Sequence, residues 1–209
     1  VSTYAPFKGA QRAVIIDAQG KEYAVEQMIG ANETYDVSKF ITAARKTTPL
    51  PVATSASNGS AIWLMPYTVN KQPTCVAGTV TSAETFQEGY QYYTLALTIE
   101  ESQVSSPVLN SDGAVVGIVQ PSAGGQRGVA YAVSARFAND LKVTGLSIND
   151  PVLRQTAIPL ALPDDVKDAT LTLFLASSTQ SREQYSQLVN RFIQKFPDQP
   201  DGYVYRARL

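Results

Sequence analysis

Up to about Val133 the hydrophobic positions recur with the period of strands, and beyond it with the period of helices. Residues 12–16 form a run rich in β-branched side chains that ends at Asp17-Ala18-Gln19-Gly20. Residues 21–28 follow with partial alternation, so the two runs predict a hairpin. Residues 61–69 (AIWLMPYTV) and 75–81 predict two more strands. Residues 90–99 set Tyr90, Tyr92, Thr94, Ala96 and Thr98 against Gln91, Tyr93, Leu95, Leu97 and Ile99, a strand pattern with one apolar side. Residues 108–109 and 114–120 flank Asn110-Ser111-Asp112-Gly113, a tight-turn sequence, and residues 128–133 predict a final strand. Gly124-Gly125, near Arg127, lacks a full phosphate-loop pattern and reads as a hairpin tip. Short strands separated by turns predict a mainly β fold built as a sandwich or a pair of barrels.

Ser134 is placed to cap a helix over residues 135–142, with Gly145 near its end. Residues 144–163, containing Pro151, Pro159 and Pro163, read as a linker between a β domain (1–143) and a helical segment (164–209). Asp164 and Asp165 open a helix running to about Ser177, where acidic side chains suit the positive end of the dipole. Ser181 and Gln184 have the spacing of a capping box, and Tyr185, Leu188, Val189, Phe192 and Phe196 then form one apolar stripe. Pro197 and Pro200 end that helix, and residues 202–209 begin another. Phe196-Pro197-Asp198 followed by Gly202-Tyr203-Val204-Tyr205 resembles the junction of tetratricopeptide repeats. That resemblance implies a repeat segment stopped mid-repeat, either truncated or continued by further repeats downstream; the alternative is an ordinary two- or three-helix appendage.

With 44% hydrophobic residues the chain has the balance of a globular protein, and a net charge of −1 argues against nucleic acid as a partner. No run approaches the roughly 18 apolar residues of a membrane span. The one cysteine, Cys75, excludes an intrachain disulfide and is expected to be a small buried residue. There is no histidine, and no spaced carboxylate set such as an EF-hand loop, so no metal or other cofactor is expected.

Over residues 1–143, four segments resemble, in order, those of trypsin-like serine proteases of the HtrA (Deg) branch. Tyr4-Ala5-Pro6-Phe7-Lys8-Gly9-Ala10 is similar to the stretch bearing the triad histidine. Residues 32–40 are similar to the stretch bearing the triad aspartate. SSPVLNSDGAVVGI, residues 105–118, resembles the nucleophile loop and its hairpin, and residues 128–134 resemble a wall of the substrate pocket. The resemblance implies a double β-barrel, and because only Val1, Ser2 and Thr3 precede the histidine-like segment, either residues upstream of this chain complete the first barrel or that barrel is incomplete or rebuilt. It also implies an extracytoplasmic protein.

Carried over position by position, the resemblance puts Asp36 on the triad aspartate, Ala5 on the histidine and Val104 on the nucleophilic serine. Ser102 falls on an oxyanion-hole glycine, and Ser105 and Ser106 on the small residues after the nucleophile. A serine nucleophile needs a base, and neither Ala5 nor Val104 supplies a reacting atom. The expectation is therefore a pseudoprotease that binds a peptide or protein in a cleft bounded by Ser102, Ser105, Val129, Ala130 and Tyr131, with the helical segment as a second binding surface. Two alternatives stand: an active peptidase using Ser105 with a lysine base such as Lys8, or a purely structural platform whose cleft is plugged by Phe86 or by side chains of residues 90–93. Neither the ligand nor the oligomeric state follows from the sequence.

Overall fold

The computed structural model describes residues 1–85, 89–121, 128–141 and 162–209. The expected hairpin tip at 124–127, the linker from 144 to 161 and Phe86 lie outside the described residues.

Two β units follow one another. The first is a three-stranded antiparallel sheet, β1 (Val14–Ile16), β2 (Glu22–Asn32) and β3 (Val37–Thr42). Met28 and Val25 point from it into a small cluster with Tyr4 and Phe7. The second is a closed six-stranded barrel in which β4 (Ala61–Leu64), β5 (Val76–Thr85), β6 (Gln91–Ala96), β9 (Ala130–Ser134), β8 (Val115–Val119) and β7 (Pro107–Leu109) pair in that order. Closure removes the open edges that strands otherwise present. Ile62, Leu64, Val80, Tyr93, Leu95, Val108, Val116 and Ala132 fill its interior.

Strand expectations and structure agree on position more than on length. β4 stops at Leu64, just ahead of Pro66, rather than running to Val69. β3 was not expected: its first two residues, Val37 and Ser38, are both buried, so no alternation advertises it. Ser38 tolerates burial because its Oγ donates to the Thr3 carbonyl at 2.9 Å. Both sides of β6 are covered, Tyr93 and Leu95 facing the barrel interior and Tyr90 and Tyr92 the outside. Cys75 is exposed, contrary to expectation, because it precedes β5 and the strand's first two residues, Val76 and Ala77, also lie outside the core.

Ser134 is the last residue of β9, not a helix cap; the helix that follows, α1, is only Phe137–Asp140. The C-terminal helices form largely as expected: α2 (Val166–Thr179), α3 (Arg182–Lys195) and α4 (Pro200–Ala207). Asp165 caps α2 by accepting from the N–H groups of Lys167 and Asp168. Ser181 and Gln184 form the capping box of α3. The stripe of α3 packs through Leu188, Val189 and Phe192 onto Ala169, Leu173 and Ala176 of α2. The other side of α2 lies on the barrel, with Leu171, Phe174 and Leu175 in one apolar cluster with Tyr92, Ile118 and Val133. Val37 of the first sheet joins the same cluster, so all three units share a core.

Candidate functional site

The site lies where the first sheet, the barrel and residues 2–5 meet. Asp36 ends the turn between β2 and β3 in a left-handed conformation, φ 51°, which a non-glycine residue adopts only at some cost. Its side chain turns inward and is 1% exposed. Oδ1 accepts from the N–H of Tyr4 at 2.9 Å and of Ala5 at 2.6 Å, whereas Oδ2 is buried with no partner. Burial pushes the Asp36 carboxyl up to about 6; the N–H groups of Ala5 and Tyr4 and the charge of Lys8 oppose that rise, and Glu33 adds to it. Lys8 forms an ion pair with Glu33 and sits 5.6 Å from the centre of the Tyr4 ring. It is therefore not the free exposed amine that a solvent-facing turn would present.

The loop before β7 is tightly closed on itself. A single 3-10 turn (Glu101–Gln103) is held by a capping box between Glu100 and Gln103. The four consecutive N–H groups of residues 103–106 are all donated to carbonyls: Gln103 to Glu100 (2.9 Å), Val104 to Glu101 (3.2 Å), Ser105 to Val119 (2.9 Å) and Ser106 to Gln103 (3.1 Å). Acyl transfer needs preorganised N–H donors aimed at a developing oxyanion. None of these four is free to serve.

Ser105 is also left-handed, φ 70°. Its Oγ lies 2.6 Å from Thr3 Oγ1, accepts from Ser2 Oγ at 3.2 Å and from the Thr3 N–H at 3.2 Å. No lysine amine takes part in this set.

Ala5 thus touches Asp36, and Thr3, two residues before it, touches Ser105, the neighbour of Val104. Val104, Ser102 and Ser105 line one open pocket of about 380 Å3 together with Met65, Tyr67 and Pro107. Val129, Ala130 and Tyr131 do not line that pocket. Ala130 is fully buried in the barrel interior. Tyr131 stacks on Tyr92 at 6.0 Å and meets the edge of Phe174 of α2 at 4.8 Å, so a helix covers it. Only Val129 of that wall is neither buried nor covered in this way. The grip of Ser2 and Thr3 on Ser105 spans about a hundred residues and carries no local sequence mark. Among the described residues no cluster of three acidic or cysteine side chains is placed to hold a metal ion. Nor is any described helix long and apolar enough to cross a membrane.

No family model matches the sequence, and no curated protein matches it. Solved structures do. The active form of the protease Rv3671c from M. tuberculosis superposes with a TM-score of 0.57 at 17% identity, over 70% of this chain and 69% of that one. The HtrA-type protease AlgW, solved with a decapeptide, superposes with a TM-score of 0.54 at 15% identity, over 66% of this chain and 45% of that one. The chain therefore spans less than half the length of that AlgW structure. At such identities the likeness is one of fold, and the fold is that of trypsin-like proteases.

Proposed function

We propose that the protein is a non-catalytic, trypsin-like pseudoprotease that binds an extended peptide in the cleft beside Val104. The observation that carries this reading is the closed loop at residues 103–106, whose N–H groups are all used internally. Three further features support it. The chain has no imidazole; the position aligned with the nucleophile is Val104; and Asp36 is occupied with the backbone of Tyr4 and Ala5. Loss of nucleophile or base typically removes on the order of 10⁶ in turnover.

Peptide binding needs none of that machinery, because main-chain hydrogen bonds and side-chain pockets supply it. The 380 Å3 pocket is lined mostly by apolar side chains, Met65, Pro66, Pro73, Val104 and Pro107 among them, which suits an apolar peptide side chain. AlgW, which shares the fold, was solved with a decapeptide. The C-terminal helices, read as a repeat segment, form a second protein-binding surface, and the fold shared with HtrA-type proteases supports a location outside the cytoplasm.

Turnover of casein and of activated esters tests the reading. The expected rate is that of buffer alone, unchanged by Ser105→Ala. Clear hydrolysis abolished by Ser105→Ala would overturn it and favour the serine–lysine alternative.

A further inference from the structure

The pocket beside Val104 is apolar, but not purely so. Met65 and Pro66 follow β4 and Pro107 opens β7; the Met65 N–H donates to the Pro107 carbonyl at 3.0 Å, so the barrel fixes this wall. Among the described residues no charged side chain lines the pocket. Several hydroxyls do, and most are already engaged. Tyr67 donates to the Asp17 carbonyl at 3.1 Å, Thr68 donates to the Lys71 carbonyl at 2.8 Å, and Ser105 is held by Ser2 and Thr3.

Two hydroxyls remain. Ser102 is exposed, whereas Ser106 is 6% exposed and so lies deeper. Neither side chain makes a hydrogen bond among the described residues. Ser106 is held in place by its backbone, whose N–H donates to Gln103 and whose carbonyl accepts from Val119 at 3.0 Å. A hydroxyl this far buried normally finds a partner within its own protein. This one has none, and its residual surface belongs to the pocket.

That lining selects among ligands. A carboxylate or phosphate would find no cation, and the N–H groups of residues 103–106 are spent internally. A lysine or arginine would find no carboxylate to offset its desolvation. An aliphatic side chain would leave the Ser106 hydroxyl covered and unpaired. A primary amide would satisfy Ser106 but press its remaining polar atoms against Met65, Pro66 and Val104. A phenol meets both demands: its ring suits the thioether and the proline rings, and its hydroxyl can donate to Ser106 or accept from it. The volume, about 380 Å3, admits a ring of that size. Resting on the reading of this cleft as a peptide site, we infer that the pocket receives a tyrosine side chain of the bound segment. The ring packs on Met65, Pro66 and Pro107, and the phenol hydrogen-bonds Ser106.

Methyl-labelled methionine NMR on the full chain tests it. The chain has two methionines: Met65 reports on the pocket, and Met28, in the core of the first sheet, is the control. N-acetyltyrosinamide and a Gly-Ser-Tyr-Ser-Gly peptide blocked at both ends should each shift Met65 saturably and leave Met28 in place. Their phenylalanine counterparts should bind about fivefold more weakly, the worth of one net hydrogen bond. Ser106→Ala removes a hydroxyl that no other residue uses, so it should hold the melting temperature and equalise the tyrosine and phenylalanine ligands. Equal affinities in the parent, or a tyrosine preference that survives Ser106→Ala, would overturn the assignment while leaving peptide binding in the cleft intact. Binding of the amide without either peptide would instead overturn the peptide reading and take the proposal with it. No Met65 shift with any tyrosine ligand would overturn the proposal directly.

Discussion

Asp36 and Ser105, one from each β unit, are both left-handed, at φ 51° and 70°, and both grip residues 2–5. Asp36 holds the N–H groups of Tyr4 and Ala5, and Ser105 holds the hydroxyls of Ser2 and Thr3. One short segment is thereby fastened to both halves of the molecule. Backbone strain of this kind persists only where surrounding structure enforces it. Here the enforcement is a set of hydrogen bonds whose job, on the proposed reading, is architectural.

Asp36 makes stability depend on pH in an unusual direction. Its carboxyl titrates near 6 in the folded protein against 3.8 for an unperturbed aspartate, so between those values the folded state holds the proton and the unfolded state does not. This group's contribution therefore falls as pH rises from about 4 to 6, by about 3 kcal/mol in total, and is flat above that range. Asp36→Asn keeps an oxygen for the two N–H groups and tolerates the left-handed backbone. Urea unfolding at stepped pH should show the variant gaining about 3 kcal/mol on the parent between pH 4 and pH 7. A constant difference across that range would mean that the carboxyl titrates normally.

Ser105 is predicted to matter for stability and not for turnover. Ser105→Ala keeps the unfavourable backbone and removes the oxygen that Ser2 and Thr3 share; Ser105→Gly removes the oxygen but relaxes the backbone. The glycine variant should be the more stable of the two by about 1 kcal/mol. Thermal melts of the pair measure this, and equal melting temperatures would argue against strain at the position.

What the sequence made legible divides along a physical line. Features held by neighbours in the chain were readable: the Asn110–Gly113 turn, where Asn110 Oδ1 takes the N–H groups of Asp112 and Ala114, and the capping box of Ser181 and Gln184. The pairing of Ala5 with Asp36 was reachable only through resemblance to a family. Features made by distant contacts were not readable. β3 is silent because Ser38, its polar second residue, is buried against the Thr3 carbonyl. Tyr131 looked like an open wall because Phe174, which covers it, arrives from a helix more than forty residues later.

Phe174 is the hinge of that arrangement. Its ring meets Tyr131 at 4.8 Å and Tyr92 at 5.8 Å, both close to edge-on, and so docks α2 on the barrel. Phe174→Ala should lower stability by about 3 kcal/mol, at the lower end for aromatic truncations because the side chain is only partly buried. Hydrogen exchange should show α2 losing protection while β8 and β9 keep theirs. Uniform loss over both would mean that the barrel cannot stand without the helices.

Gly202 sets two opposed effects against each other. It lies within α4, buried, where alanine is favoured over glycine by about 1 kcal/mol on helix propensity alone. A Cβ at this position, however, would come within 2.8 Å of both Phe192 Cδ1 and Ile193 Cγ1 on α3. Phe192 is fully buried between Leu173 and Leu188 in the same apolar cluster and has little room to give. Overpacking of this kind costs about 1–3 kcal/mol, and forcing α4 outward also moves Tyr205 away from Tyr185. Gly202→Ala should therefore destabilise the protein by about 1 kcal/mol net, read by urea unfolding. A stabilised variant would show that α4 stands further from α3 than these contacts require.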